Sequence, residues 1–425
     1  MDLKDKKTVL TFHNGVMSIG GTVIEVAYED AHIFFDFGTL FRPELDLPDE
    51  ALPTLVEHGL APDLKHVYDP LIQDDSHIPN KFTETAIFIS HAHLDHTRMI
   101  NYSNPEIPMY AMEETVCLLN FLNKENTFLL PRAGVHDSYT RPMIGLQDEE
   151  VVQVGKIKVT AIKVDHDTIG ACGLKIETPD LTIAYSGDYR FHGLRPELTE
   201  KFARLNKGAD ILITEGVSVS FEDRPNKDND RPKTEDELAE RMKEILRNNP
   251  DKQITFNAYE ANPDRFLTFI NNGVREVVIT AYQAQILKQC LNLDVLYYND
   301  GVGSLEGLDP SLEIQLTDLL NDQHRYLWQY HGKTDELQGG GVYIHSDASP
   351  LGEFDPAYNG FVNGFAEKEI AFFRLGCSGH AYPEGLDRMV DEVEAKILMP
   401  IHTLNPEYFK NPHGICYLVS NKETI

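Results

Sequence analysis

The stretch ISHAHLDHTR, residues 89–98, sets three histidines and an aspartate within six positions, directly after the short apolar run AIFIS. A run of that length, bounded by polar residues, reads as a buried strand. His91 and His93, two apart just past a strand end, can project the same way. Asp95 and His96 open the next helix and bend back toward a neighbouring point. One segment can therefore offer ligands to two adjacent metal ions. Neutral imidazoles and hard carboxylates suit zinc, with manganese as the alternative occupant. The five cysteines are scattered with no CxxC pair, so no thiolate zinc cluster is signalled.

Two metals need more than four ligands, which predicts further His or Asp residues at strand ends elsewhere. KVDHDTIGACG offers His166 just after a strand, IAYSGDYRFHG offers Asp188 in a Ser-Gly-Asp turn, and ILMPIHTLNPE places His402 after an apolar strand and a proline. Taken alone, Asp188 would read as an ordinary Asx-turn residue.

At 425 residues the chain is long enough for two or three compact units. TVIEVAYEDAHIFFDFG reads as a hairpin around Glu29 and Asp30 that closes on Asp36 and Gly38. Alternating strands and helices follow, until the charged stretch FEDRPNKDNDRPKTEDE, which reads as an exposed loop or domain crossing. Beyond it, Thr234 and Glu237 form a capping-box pattern, and Asn262, Pro263 and Gly273 mark the start and end of another helix. The βα alternation of this region predicts a parallel open sheet. No apolar run reaches the ~18 residues of a membrane span. The start MDLKDKKTVLTF lacks the apolar core of a signal peptide, so a cytoplasmic protein is expected.

His91, His93, Asp95, His96, His166 and Asp188, preceded by Asp36, follow the signature order of the metallo-β-lactamase fold, and the sequence resembles that family. Two features narrow the resemblance to the β-CASP branch of nucleases, the ribonuclease J-like enzymes. One is the interruption of the metal-binding domain by the βα-alternating insert. The other is a trio of motifs: Glu215 in ILITEG, His380 in GCSGHA and His402 in PIHT. The fold so implied is an α/β, four-layer αββα sandwich interrupted by a β-CASP α/β insert. Residues 1–216 and 371–425 would form the metallo-β-lactamase domain, and 217–370 the insert.

The resemblance also implies roles. His91, His93 and His166 would hold one divalent ion and Asp95, His96 and His402 the second, with Asp188 bridging; zinc is the first expectation and manganese the second. Asp36 would orient a ligand histidine. His380 would reach the scissile phosphate, supported by Glu215, so Asp95, Asp188 and His380 are the expected catalytic groups. Ser378, Gly379, Ser346, Ser349 and Arg190 are candidates for binding phosphate. The implied activity is hydrolysis of single-stranded RNA by a two-metal-activated hydroxide, from an end or internally, by a protein that is not membrane-bound and is a candidate homodimer. The alternatives are a DNA nuclease, or a small-molecule ester or lactone hydrolase on the same metal core. The net charge of −30 opposes loose, long-range attraction of a polyanion. It points instead to a narrow grip centred on the metals, whose own charge the formal count omits.

Overall fold

The computed structural model describes residues 3–40, 42–64, 66–72, 84–135, 137–221, 231–302, 304–350, 352 and 355–425. The charged crossing falls largely outside them, since 222–230 are not among the described residues. The chain divides into two compact units, Met1–Pro225 with Gly379–Ile425, and Asn226–Ser378.

The first unit is built on two seven-stranded sheets. In spatial order one runs Glu423–Thr424, Thr8–Asn14, Val23–Tyr28, Ala31–Phe35, Glu84–Phe88, Met109–Met112 and Ile144–Leu146. The other runs Ile415–Cys416, Ile397–Pro400, Ile211–Thr214, Thr182–Tyr185, Cys172–Glu177, Ile157–Lys163 and Val151–Val154. Alternation along the strands sends Leu10, Phe12, Val26, Ile33 and Phe35 of the first sheet against Val159, Leu174, Ile176, Ile183 and Ile213 of the second, in one continuous apolar core. The opposite face of the second sheet, with Ile162, Ala184, Leu212 and Leu398, is covered by helices Pro196–Leu205 and Pro383–Val393 through Phe202, Leu386, Met389 and Val393. Helix Glu113–Leu122 packs on the outer side of the first sheet. These layers make the expected α/β sandwich.

Strand direction is what prepares a site. Ala31–Phe35 and Glu84–Phe88 run parallel, as do Thr182–Tyr185, Ile211–Thr214 and Ile397–Pro400. Ile157–Lys163 shares that direction, being separated from Thr182–Tyr185 by two antiparallel pairings. The carboxyl ends of these strands, and the loops after them, therefore open on a common edge of each sheet. The two edges are tied together where the Cys172 amide donates to the Ser90 carbonyl at 2.9 Å.

The second unit carries a six-stranded, all-parallel sheet in the order Tyr297–Tyr298, Glu276–Thr280, Tyr326–Gln329, Ile254–Ala258, Val342–Ser346 and Ala371–Arg374. Each face is buried in its own apolar core, one around Ile254, Phe256, Leu327 and Ile344, the other around Val278, Trp328 and Tyr343. That double burial is why its strands read as near-continuous apolar runs. The helix caps fall where the sequence places them: Thr234 Oγ1 accepts from the Glu237 amide at 3.1 Å, and Asn262 Oδ1 from the Arg265 amide at 3.0 Å.

The compact unit spans Asn226–Ser378, where the sequence reading set 217–370. At the first end, the 3-10 turn Ser218–Phe221 is held to the first unit, since Asn405 Nδ2 donates to the Val219 carbonyl at 3.1 Å and Ser220 Oγ lies 3.0 Å from Thr403 Oγ1. At the other, Ala371–Arg374 pairs in parallel with Val342–Ser346 and so completes the insert sheet. Among the described residues no helix is long and apolar enough to cross a membrane.

Candidate metal centre

The loops at the strand ends bring seven side chains into two adjacent groups. His91, His93 and His166 form one, and Asp95, His96, Asp188 and His402 the other; within each group the ligand atoms lie within 4.8 Å of one another. Asp188 Oδ2 is the hub, 3.2 Å from His96 Nε2 and 3.7 Å from each of His402 Nε2 and His91 Nε2. It thus faces both groups. Asp95 Oδ2 stands 3.4 Å from His402 Nε2, and its side chain is 30% exposed, which leaves this corner open to a substrate.

The rings are oriented from behind. His96 Nδ1 is 2.8 Å from Asp36 Oδ2, and His166 Nδ1 is 2.7 Å from the Gly379 carbonyl. A carboxylate and a carbonyl only accept, so both rings carry hydrogen on Nδ1 and turn Nε2 toward the cluster. For His91 the same result comes by relay: Nδ1 lies 2.9 Å from Ser90 Oγ, and that hydroxyl donates to Asp36 Oδ2 at 2.9 Å. Asp36 also accepts from the Ser90 amide at 2.7 Å and from the Tyr185 hydroxyl at 2.5 Å. It adopts a left-handed backbone at φ 61°, as His402 does at φ 50°. Such conformations cost about 1–3 kcal/mol, and they persist here because the surrounding hydrogen bonds over-determine them.

These donors fit divalent cations. The Nε2 atoms of His91, His96 and His402 and Oδ2 of Asp188 are buried without a hydrogen-bond partner among the described residues. Burial on that scale would be costly for polar atoms that bind nothing. Burial also pushes His91, His402 and His166 down, His166 to about 3, which keeps them in the neutral form that coordinates a metal. Burial opposes ionisation of Asp188, but His402, His96 and His380 outweigh it and hold the carboxyl well below its ordinary range. At His96 burial is likewise outweighed, by Asp188, Asp95 and Asp36, which raise it.

His380 stands beside this cluster, with Nδ1 3.7 Å from Asp188 Oδ2 and 3.6 Å from Glu215 Oε1. Burial disfavours its charged form, yet Glu215, Asp188 and Asp167 outweigh that and the ring is pushed up to about 10. Glu215 is itself fixed, accepting from the amides of Val217 at 2.8 Å and Ala381 at 3.3 Å. Gly379, a candidate phosphate binder, acts here through its carbonyl on His166. A Cβ on it would meet the Asp167 carboxylate at 2.3 Å.

Arg190 is where the structure corrects the sequence reading. Its side chain is wholly buried, with Nε 3.3 Å from Asp165 Oδ1, its amide donating to the Asp165 carbonyl at 2.7 Å and its carbonyl accepting from Thr199 Oγ1 at 2.9 Å. It braces the loop that carries His166 and presents no surface to a phosphate. Ser346, Ser349 and Ser378 belong to the insert unit. There Ser346 Oγ accepts from Arg265 Nη1 at 2.7 Å, Ser349 lines a cavity, and Ser378 is half-buried.

Sequence reasoning passed over Ser90, Tyr185 and Asp167. Ser90 and Tyr185 complete the Asp36 network. Asp167 Oδ1 lies 3.3 Å from His166 Nε2 and 3.6 Å from His93 Nε2, while His93 Nδ1 is 3.1 Å from His166 Nε2. His93 therefore turns Nδ1 inward and Nε2 toward Asp167. Burial opposes ionisation of Asp167, but His166, His93 and Arg190 outweigh it and hold its carboxyl low. The doubled acid in VDHD was the available signal.

A family model described as "Beta-lactamase superfamily domain" matches residues 73–226, the stretch that carries six of the seven donors. Ribonuclease J of Mycoplasma genitalium is 28% identical over 190 residues, covering 44% of this chain and 28% of that protein. Ribonuclease J of Pyrococcus abyssi is 26% identical over 222 residues, covering 49% of this chain and 45% of that protein. The chain is a metallo-β-lactamase-fold protein, similar to ribonuclease J. The aligned stretches span less than half the length of these two relatives. Over its whole length this metallo-β-lactamase-fold chain also matches a crystal structure of a protein of unknown function from Enterococcus faecalis V583. That match has 47% identity and a TM-score of 0.95, covering 99% of this chain and 100% of that one.

Proposed function

We propose that the protein is a ribonuclease that hydrolyses phosphodiester bonds of single-stranded RNA with two divalent cations, zinc in the first place, in a β-CASP-type arrangement. The observation that carries this reading is the pair of donor groups sharing Asp188. His91, His93 and His166 would hold one cation and Asp95, His96 and His402 the other, with Asp188 facing both groups. When bound, the two cations supply Lewis-acid activation of water and neutralise the charge of the phosphate. The chain's own residues do the rest. Asp36, through Ser90 and Tyr185, fixes the rings of His91 and His96. Water attacks phosphorus and gives its proton to Asp95, whose carboxylate is the more exposed one of the cluster, while His380, held cationic by Glu215, protonates the leaving oxygen. The likeness to ribonuclease J favours RNA over DNA.

The test uses 5′-monophosphorylated single-stranded RNA and matched DNA, both 3′-labelled, with the purified protein and Zn2+ or Mn2+. Expected is time-dependent cleavage of RNA that a chelator abolishes and DNA that stays intact. Cleavage of DNA alone, or of an ester or lactone while both polymers survive, would overturn the reading.

Asp167 yields a separate expectation. A carboxylate that steers a ligand histidine is worth about 10- to 100-fold in metal affinity. Asp167→Ala should accordingly weaken the first cation by about tenfold, read by competition with a chromogenic chelator, with thermal unfolding of the metal-free protein little changed. Unaltered affinity would mean that Asp167 only fills space beneath Gly379.

A further inference from the structure

In the insert unit a cavity of about 280 Å3 opens at the carboxyl ends of three parallel strands, lined by Asn257 and Ala258 of one, Thr280 of the next and Gln329 of the third. The chain leaves Ile254–Ala258 for Glu276–Thr280 on one side of the sheet, and leaves Tyr326–Gln329 for Val342–Ser346 on the other. Connections that diverge from adjacent strands leave a crevice between them, the place where open parallel sheets bind ligands.

The cavity's polar floor is already satisfied and fixed. Gln329 Oε1 accepts from the amide and hydroxyl of Thr280 at 3.0 and 3.2 Å, and Gln329 Nε2 donates to Asn257 Oδ1 at 3.1 Å. Two other lining groups are not satisfied. Gln283 Oε1 and Asp300 Oδ2 are buried and have no hydrogen-bond partner among the described residues. The second oxygen of Asp300 already accepts from the Val302 amide at 3.2 Å, and His331 Nε2 stands 3.7 Å from Oδ2, beyond hydrogen-bond reach. Each orphaned acceptor costs about 1–3 kcal/mol unless something donates to it. The walls add the rings of Tyr259 and Tyr282 and the carboxyl of Glu260, and among the described residues no lysine or arginine lines the cavity. Aromatic walls and orphaned acceptors ask for a flat body that carries donors, not for a phosphate. Its volume lies just below the range of about 300–1,000 Å3 that holds drug-sized ligands, and so suits one base with part of its ribose.

We propose that this cavity is a base-binding subsite that selects guanine. Among the four bases guanine alone carries adjacent donors, N1–H and the N2 amino group, on one edge. Asp300 Oδ2 and Gln283 Oε1 take those donors while a tyrosine ring stacks on the base, an interaction worth about 1–3 kcal/mol. Adenine and cytosine offer one amino group flanked by an acceptor, and uracil one N–H between two acceptors, so each leaves an orphaned group behind. The proposal rests on the RNA reading only for its biological setting, in which the base belongs to a bound strand.

The experiment titrates the full-length protein with guanosine, adenosine, cytidine and uridine in the presence of EDTA. Nucleosides carry no phosphate and the chelator silences the metal centre, so the measurement is independent of hydrolysis. Binding is read calorimetrically and by the fluorescence of Trp328, the chain's single tryptophan, which precedes Gln329 in its strand. Guanosine is expected to bind at least about tenfold more tightly than the other three, the effect of one unsatisfied buried partner. Asp300→Asn, which keeps an oxygen for the Val302 amide and turns an amino group toward the ligand, should erase that preference, as should Gln283→Met. Equal binding of all four nucleosides, no guanosine binding, or a preference that survives Asp300→Asn would overturn the proposal. Spermidine binding that depends on Asp300, with guanosine excluded, would overturn it in favour of an organic cation. RNA hydrolysis without guanosine binding refutes only this subsite, and guanosine binding without hydrolysis refutes only the nuclease reading.

Discussion

Asp188→Ala is expected to lose both metals and all detectable hydrolysis, whereas His380→Ala is expected to lose hydrolysis and keep the metals. The contrast follows from what each side chain faces. Asp188 Oδ2 is within 3.2–3.7 Å of His91, His96 and His402, which belong to both donor groups. Removing it leaves the buried nitrogens of two sites without the one anion that faces them all, and the mutual repulsion of two cations without a screen. His380 approaches the same oxygen at 3.7 Å but is also held by Glu215 and belongs to neither donor group. Its loss should cost about 10²–10⁴-fold in rate, the usual worth of a positioned proton donor. Metal content by mass spectrometry, beside initial rates on labelled RNA, separates the two. An Asp188→Ala protein that retains both metals would sink the bridging assignment, and a His380→Ala protein of normal rate would remove it from the chemistry.

What the sequence made legible was local. H-x-H-x-D-H could be read as a cluster because one short segment after one strand carries all four side chains, and His166, Asp188 and His402 because each follows its own apolar run. The helices of the insert were legible because Thr234 and Asn262 act within three residues of themselves. What stayed hidden depends on distant partners. Tyr185 looks like one more core aromatic of a strand, and only the folded chain brings its hydroxyl to Asp36, 149 residues away. Arg190 looked available to a phosphate because nothing near it in sequence announces that Asp165 folds back over it. The end of the insert was hidden for the same reason. AFFR is a plausible strand for either unit, and pairing with Val342–Ser346 decides the matter.

Gly38 gives the sharpest prediction for the link between fold and site. It follows Asp36 in the loop after Ala31–Phe35, and a Cβ built on it would fall 1.6 Å from the Asp95 carbonyl oxygen and 2.5 Å from the His96 amide nitrogen. Those neighbours are backbone, so no side-chain rotation relieves the overlap. The Phe37 amide also donates to the His96 carbonyl at 2.7 Å, and the Met99 amide to the Phe37 carbonyl at 2.9 Å, which fastens the two loops together. Gly38→Ala must push the Asp95–His96 segment away or break those bonds. Because it strikes buried backbone rather than flexible side chains, its cost should exceed the ~1–3 kcal/mol of ordinary overpacking and reach the exceptional class above about 4 kcal/mol. Expected are a large fall in melting temperature and loss of the cation proposed for Asp95 and His96. Gly360 is the control: it lies in helix Tyr358–Glu367 of the insert, with nothing within 4 Å of its added Cβ. Gly360→Ala should leave metal content alone and raise stability by up to about 1 kcal/mol, the gain of alanine over glycine in a helix. If Gly38→Ala unfolds no more readily than the parent and binds both metals, the close approach of these loops is not what holds the second group of donors in place.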